Sequence, residues 1–293
     1  MSVEYAYQIR EEWLQGDLQE NAGLTTPDDI ERVDDIVYCD NEKQFSTLDV
    51  YRPKGNNEYL PVIVNVHGGG YVYGNTRIYE FYCMNLAQRG FAVVNYNYRL
   101  APEYKYPSPL IDTKVVFDWI VENKDKYKFD INNCFAVGDS AGAQILSQYA
   151  VMYSNDEYAK IMNIYPNKDI KLRAIGLNCG MYRIDPASID ESLTQLADVY
   201  FSEDISIYGE QLNVLDYVNA SFPPTSIMSA PGDFLLRMQQ PMCDLINERG
   251  SIAVFKVYGD ETIGHDFHKH MRSPITKIAN DDQINFFRQY IRP

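Results

Sequence analysis

Ser140 stands between two glycines in Gly138-Asp139-Ser140-Ala141-Gly142, directly after the apolar run Cys134 to Val137 and ahead of a helical stretch. A serine at such a strand-to-helix turn is placed to act as a nucleophile. The turn is sharp, so the residues two positions to either side must be small for strand and helix to pass closely. That geometry lifts Ser140 Oγ towards a base and a substrate. The bland alternative is a glycine-rich turn with no chemistry. A second motif argues against it: His67-Gly68-Gly69-Gly70-Tyr71 follows the apolar run Leu60 to Val66, which reads as a buried strand. Glycines let backbone N–H groups approach a developing alkoxide with no Cβ in the way. The expected oxyanion donors are the N–H groups of Gly69, Gly70 and Ala141. A phosphate-cradling loop is the rival for three glycines, but the chain has neither G-x-x-x-x-G-K-[ST] nor G-x-G-x-x-G here.

Between these motifs lies Asn97-Tyr98-Arg99-Leu100-Ala101-Pro102-Glu103. HGGGY, YRLAPE and GDSAG, in this order and at these intervals, resemble the hormone-sensitive-lipase-like group of serine esterases, in the bacterial branch that includes acetyl esterases. The resemblance runs from about Leu48 to His265. It implies an α/β-hydrolase fold, a mostly parallel central sheet flanked by helices, and a small cap built from the N-terminus and an insertion. It also implies short acyl chains, acetyl to about hexanoyl, on soluble ester substrates.

In that fold the catalytic groups follow the chain order Ser, then Asp or Glu, then His. The chain has four histidines, of which His67 belongs to the glycine loop. His265, in Gly264-His265-Asp266-Phe267, is similar to the family's His-Gly-Phe segment, with Asp266 where glycine is usual. His268 and His270 sit further into a polar stretch and are expected at the surface. The acid is expected just past the penultimate core strand, where Asp233 follows Ile227–Ala230 and matches the family's Asp-x-Leu segment. Its task would be to fix the His265 tautomer and stabilise the imidazolium. The structural alternative for Asp233 is a helix N-cap before Leu235. His-x-x-His-x-His at 265–270 also suggests zinc, but no cysteine or acidic partner for it is evident in the sequence, and a serine nucleophile needs no metal. No metal and no cofactor are expected. Asp139 and Arg99 are read as structural, orienting the turn at Ser140 and the loop after the Ala92–Tyr96 strand.

The elements that must hold these residues alternate from residue 60 onward. Expected strands are Val62–Val66, Ala92–Tyr96, Cys134–Val137, Ala174–Asn178, Thr225–Ala230 and Ala253–Tyr258. Expected helices are Tyr79–Arg89, Leu110–Asn123, Ala141–Tyr153, Leu235–Glu248 and Asp281–Tyr290. Alternation of this kind implies crossovers and a mostly parallel sheet covered on both faces. Two earlier runs, Val33–Cys39 and Ser46–Tyr51, read as a hairpin on the sheet edge. The whole of 1–293 reads as a single domain, with cap elements at about 1–32 and 181–222, where the alternation is interrupted.

Composition narrows the rest. A formal charge of −15 argues against nucleic acid or an anionic membrane as partner. No apolar run is long enough to span a bilayer, and the acidic N-terminus does not read as a secretory signal. Five scattered cysteines without a C-x-x-C pair suit reduced thiols and a cytoplasmic location. The reading is therefore a serine carboxylic-ester hydrolase working on a small-molecule ester through an acyl-enzyme, with homo-oligomerisation left open. A peptidase or amidase on the same residues is the nearer rival. A non-catalytic ligand binder on the same fold is the more distant one.

Overall fold

Valine, isoleucine and leucine fill both faces of the strands that begin with Leu60–Val66, and the fold covers both faces. The computed structural model describes residues 3–40, 45–182, 198–201 and 205–293. Its strands are β1 (Ile30–Val37), β2 (Thr47–Pro53), β3 (Leu60–Val66), β4 (Ala92–Tyr96), β5 (Phe129–Asp139), β6 (Leu172–Asn178), β7 (Thr225–Ser229) and β8 (Ala253–Val257). They form one sheet in the order β1-β2-β4-β3-β5-β6-β7-β8. β1 and β2 pair antiparallel, as do β2 and β4, and every pairing from β4 to β8 is parallel. This is the α/β-hydrolase architecture expected from the motifs.

The helices are α1 (Val3–Asn21), α2 (Thr76–Ala87), α3 (Ser108–Glu122), α4 (Lys124–Tyr127), α5 (Ala141–Ser154), α6 (Asp156–Met162), α7 (Leu236–Glu248) and α8 (Pro274–Arg288). α5 follows the central strand β5 and is buried at every position from Ala141 to Met152. Its few polar side chains are bonded inside the protein, Gln144 to Gln148 at 2.8 Å among them, so the helix sits in the core and the turn between β5 and α5 is packed from both flanks. No helix among the described residues is long and apolar enough to cross a membrane.

All six expected strands lie in the sheet, and the expected hairpin forms its edge with β1 outermost. The residues joining that hairpin, 41–44, lie outside the described residues. Helix starts were the weaker expectation. α2 begins a turn before Tyr79 because Asn75 Oδ1 caps the backbone N–H groups of Arg77 and Ile78 at 2.9 and 3.2 Å. α8 begins at Pro274, well ahead of Asp281, with proline at a position where a missing N–H costs nothing. Of the interruption at 181–222, residues 183–197 and 202–204 lie outside the described residues.

Candidate active site

Ser140 occupies φ 50°, ψ −118°, a region that non-glycine residues rarely adopt. Its backbone is pinned at both ends, with the Ser140 N–H donating to Asn178 O at 3.1 Å and Met181 N–H donating to Ser140 O at 3.2 Å. The flanking glycines are required by contact. A Cβ on Gly142 would lie 2.1 Å from Val66 O, and one on Gly138 would lie 2.6 Å from Gly142 O. Strand β3, strand β5 and helix α5 thus meet at van der Waals distance beneath the serine.

The glycine loop is tied to this turn by a side chain that the sequence did not single out. The Tyr79 hydroxyl donates to Asp139 Oδ2 at 2.6 Å and accepts from the Gly68 N–H at 3.0 Å. Both Tyr79 and Asp139 are buried. Burial and the nearby Asp266 carboxylate push the Asp139 carboxyl well above its usual range, against the pull of the Tyr79 bond. Gly69 and Gly70 have φ of 112° and 57°, and a Cβ on Gly69 would meet Tyr73 O at 2.1 Å. His67 lies wholly inside, stacked on Tyr98 at 4.0 Å, with Nδ1 2.7 Å from Gly68 O. Burial lowers its pKa to about 4, so it is a neutral, structural ring. Arg99 is likewise structural, its guanidinium paired with Asp112 at 2.8 Å.

Asp233 and His265 meet. His265 Nδ1 lies 2.7 Å from Asp233 Oδ1, and Asp233 also accepts from Ser229 Oγ at 2.6 Å and from the Leu235 N–H at 2.9 Å. The bond to the Leu235 N–H closes a turn just ahead of α7, whose N-cap is Leu235 with no side-chain cap, so Asp233 is not the helix N-cap and its carboxylate faces His265. Burial alone would raise Asp233, but the bonds from His265, Ser229 and Leu235 outweigh it and hold it below the usual carboxylate range. Burial likewise depresses His265, and the carboxylates of Asp266 and Asp233 more than reverse this. The two loops are joined at Gly232 and Gly264, with Gly232 N–H donating to Ile263 O at 2.9 Å. Asp260, the other nearby acid, turns to Thr262 instead.

The expectation that His268 is exposed is wrong. His268 is fully buried, edge-on to Tyr82 at 4.9 Å, and burial pushes its pKa well down. The short helical turn Phe267–Lys269 points it inward rather than to solvent. Its polar neighbours in sequence give no sign of this, because the turn buries the consecutive pair Phe267 and His268 and leaves Lys269 and His270 half-buried.

Ser140, Ala141, Gly69, Gly70 and His265 all line one cavity of about 650 Å³. Among the described residues no hydrogen bond joins Ser140 to His265; such bonds are often long before substrate arrives. One wall is a single face of α1, from Tyr5 through Ile9, Trp13 and Gly16 to Glu20. α1 is fastened there by two ionic anchors. Arg10 reaches Glu103 at 2.6 Å and also donates to Val72 O and Ala101 O, while Asp17 accepts from Lys269 Nζ at 2.7 Å and Tyr73 OH at 2.8 Å. From the 181–222 stretch, Met181 reaches the cavity.

A fold of this kind, with a strained serine after the central strand and an acid-histidine pair at the ends of later strands, defines an α/β hydrolase. A sequence profile described as alpha/beta hydrolase fold matches residues 63–269, and the chain belongs to that family. It is similar to versiconal hemiacetal acetate esterase of Dothistroma septosporum, 33% identical over 38% of this chain and 34% of that protein. It is also similar to a gibberellin receptor of Arabidopsis thaliana, 28% identical over 42% of this chain and 36% of the receptor. The chain thus matches only about a third of the length of these curated relatives. In three dimensions it is similar to esterase B from Lactobacillus rhamnosis, with TM-score 0.87, 20% identity, and coverage of 97% of this chain and 96% of that one. The hormone-sensitive-lipase-like resemblance read from the three motifs is borne out.

Proposed function

We propose that this protein is a serine carboxylic-ester hydrolase acting on small-molecule esters with short acyl groups. Ser140 Oγ attacks the ester carbonyl carbon while His265 Nε2 takes its proton, and Asp233 holds the ring and balances the imidazolium. The oxyanion accepts bonds from the N–H groups of Gly69, Gly70 and Ala141. Collapse expels the alcohol with the proton from His265, leaving an acyl-serine. Water, deprotonated by the same histidine, then releases the acid. α1 serves as a cap that excludes bulk water from this exchange, together with part of the 181–222 stretch, within one catalytic domain.

The observation that carries this reading is the 2.7 Å bond from His265 to Asp233 at the wall of the cavity that also holds Ser140. The relative named as an acetate esterase supports an acetyl-like substrate. The relative named as a receptor supports a second reading, ligand binding without turnover. One experiment separates the two. A fluorophosphonate probe should label Ser140 alone and abolish p-nitrophenyl acetate hydrolysis, and Ser140→Ala should be inert and unlabelled with an unchanged fold. Asp233→Asn should lower kcat about 10⁴-fold. A label on another serine, or full activity in Ser140→Ala, would remove the assignment.

A further inference from the structure

We infer that Cys179, His265 and Asp266 form an inhibitory binding site for a thiophilic divalent cation such as Zn²⁺. The three come from two strand ends: Cys179 follows β6, and His265 and Asp266 follow β8. One ligand atom from each lies within 4.8 Å of the other two. The His265 Nε2 to Asp266 Oδ1 distance is 3.5 Å. In tetrahedral zinc sites with bonds of about 2.0–2.3 Å, ligand atoms sit roughly 3.3–3.8 Å apart. The histidine–carboxylate edge is therefore already at metal-binding spacing, and Cys179 Sγ, buried and held as a thiol by burial and the Asp233 and Asp266 carboxylates, lies within 4.8 Å of a ligand atom on each.

Three further observations point to a cation. Asp266 Oδ1 is buried with no hydrogen-bond partner among the described residues, a costly arrangement that a metal would relieve. The surroundings are rich in carboxylates, with Asp139 and Asp233 both buried nearby, while the neighbouring cation Lys269 is already paired with Asp17. Finally, His265 is bonded to Asp233 through Nδ1, which leaves Nε2 as the ligating nitrogen. A carboxylate behind a ligating histidine is the usual support of a zinc-bound imidazole.

Binding forms Zn–S, Zn–N and Zn–O bonds and releases the Cys179 thiol proton to solvent, with no change of oxidation state. Thiolate, carboxylate and neutral imidazole together cancel the charge of the ion. His265 and Asp266 both line the cavity that holds Ser140, whereas Cys179 lies behind them. The metal occupies the lone pair that would accept the Ser140 proton, so it inhibits and is no cofactor. That consequence for activity rests on the proposed role of His265; the binding site itself does not.

The test uses the full chain freed of metal by chelation. Ester hydrolysis should fall as buffered free Zn²⁺ rises, recover with EDTA, and ignore Mg²⁺. Cys179→Ser and Asp266→Asn should each weaken inhibition about tenfold or more, measured against each variant's own metal-free rate. Co²⁺ added to the wild-type chain should give a thiolate-to-cobalt charge-transfer band, lost in Cys179→Ser. Where that variant does not fold, Asp266→Asn carries the comparison. No cobalt–thiolate band, or equal Zn²⁺ inhibition in wild type and Asp266→Asn, would overturn the site while leaving the esterase reading intact. A band without any esterase activity would do the reverse.

Discussion

Tyr79 does at the residue scale what neither motif does alone: its one hydroxyl bonds the glycine loop at Gly68 and the serine turn at Asp139. Removing the oxygen strands a buried N–H and a buried carboxylate oxygen, each costing about 1–3 kcal/mol when unsatisfied. Tyr79→Phe should therefore lower thermal stability and reduce kcat more than it changes KM, because the loop that must meet the oxyanion loses its tie. Hydrolysis kinetics alongside a melting curve check this; a variant equal to wild type in kcat would show that the loop is held by other contacts. Nothing in the sequence pointed to Tyr79, because its importance comes from a contact with a residue 60 positions away. Ser140 was legible for the opposite reason. Its glycine neighbours answer a constraint that falls inside one five-residue motif: a Cβ on Gly138 would lie 2.6 Å from Gly142 O, whereas the 2.1 Å approach of Gly142 to Val66 O involves a distant strand and was legible only through the motif.

At the scale of elements, the same contrast separates α5 from α1. α5 follows directly from the Ser140 motif and is largely apolar, and it is buried from Ala141 to Met152 even at Gln144, Ser147 and Gln148. α1 buries Ala6 and Ile9 and little else, so its apolar signal is faint. It is held instead by Arg10 on Glu103 and Asp17 on Lys269, partners that lie far along the chain. A cap element at about 1–32 was readable as a piece outside the alternation, but its docking was not. α6 is similar, short and capped by Asn155, whose side chain accepts from Glu157 and Tyr158 N–H groups. The anchors make α1 testable as a cap. Asp17→Asn removes the ion pair with Lys269, which sits four residues after His265 and lines the same cavity. KM for a small ester should rise severalfold with a smaller change in kcat, as expected when a wall of the pocket loosens while Ser140 and His265 stay in place. An equal fall in kcat and kcat/KM, with KM unchanged, would instead place Asp17 in the chemistry.

The whole molecule sets the size of what can be hydrolysed. A cavity of about 650 Å³ is ample for a small ester. It is closed on one side by the α1 face from Tyr5 to Glu20, with Trp13 packed edge-on against Tyr73 at 5.7 Å. While an acyl chain still fits, each added methylene buried against these rings contributes about 0.8 kcal/mol, or roughly fourfold in kcat/KM. Once the chain reaches the α1 wall, further methylenes must displace the helix from its anchors or return to water, and the gain ends. The expected profile across p-nitrophenyl esters therefore rises from acetyl to about butyryl or hexanoyl and falls by decanoyl. Asp17→Asn should flatten the fall, because the wall it loosens is the one the long chains meet. A profile that keeps rising through long-chain emulsified esters would mean that α1 swings away in the working enzyme. The short-acyl reading would then fail, with the roles of Ser140, Asp233 and His265 untouched.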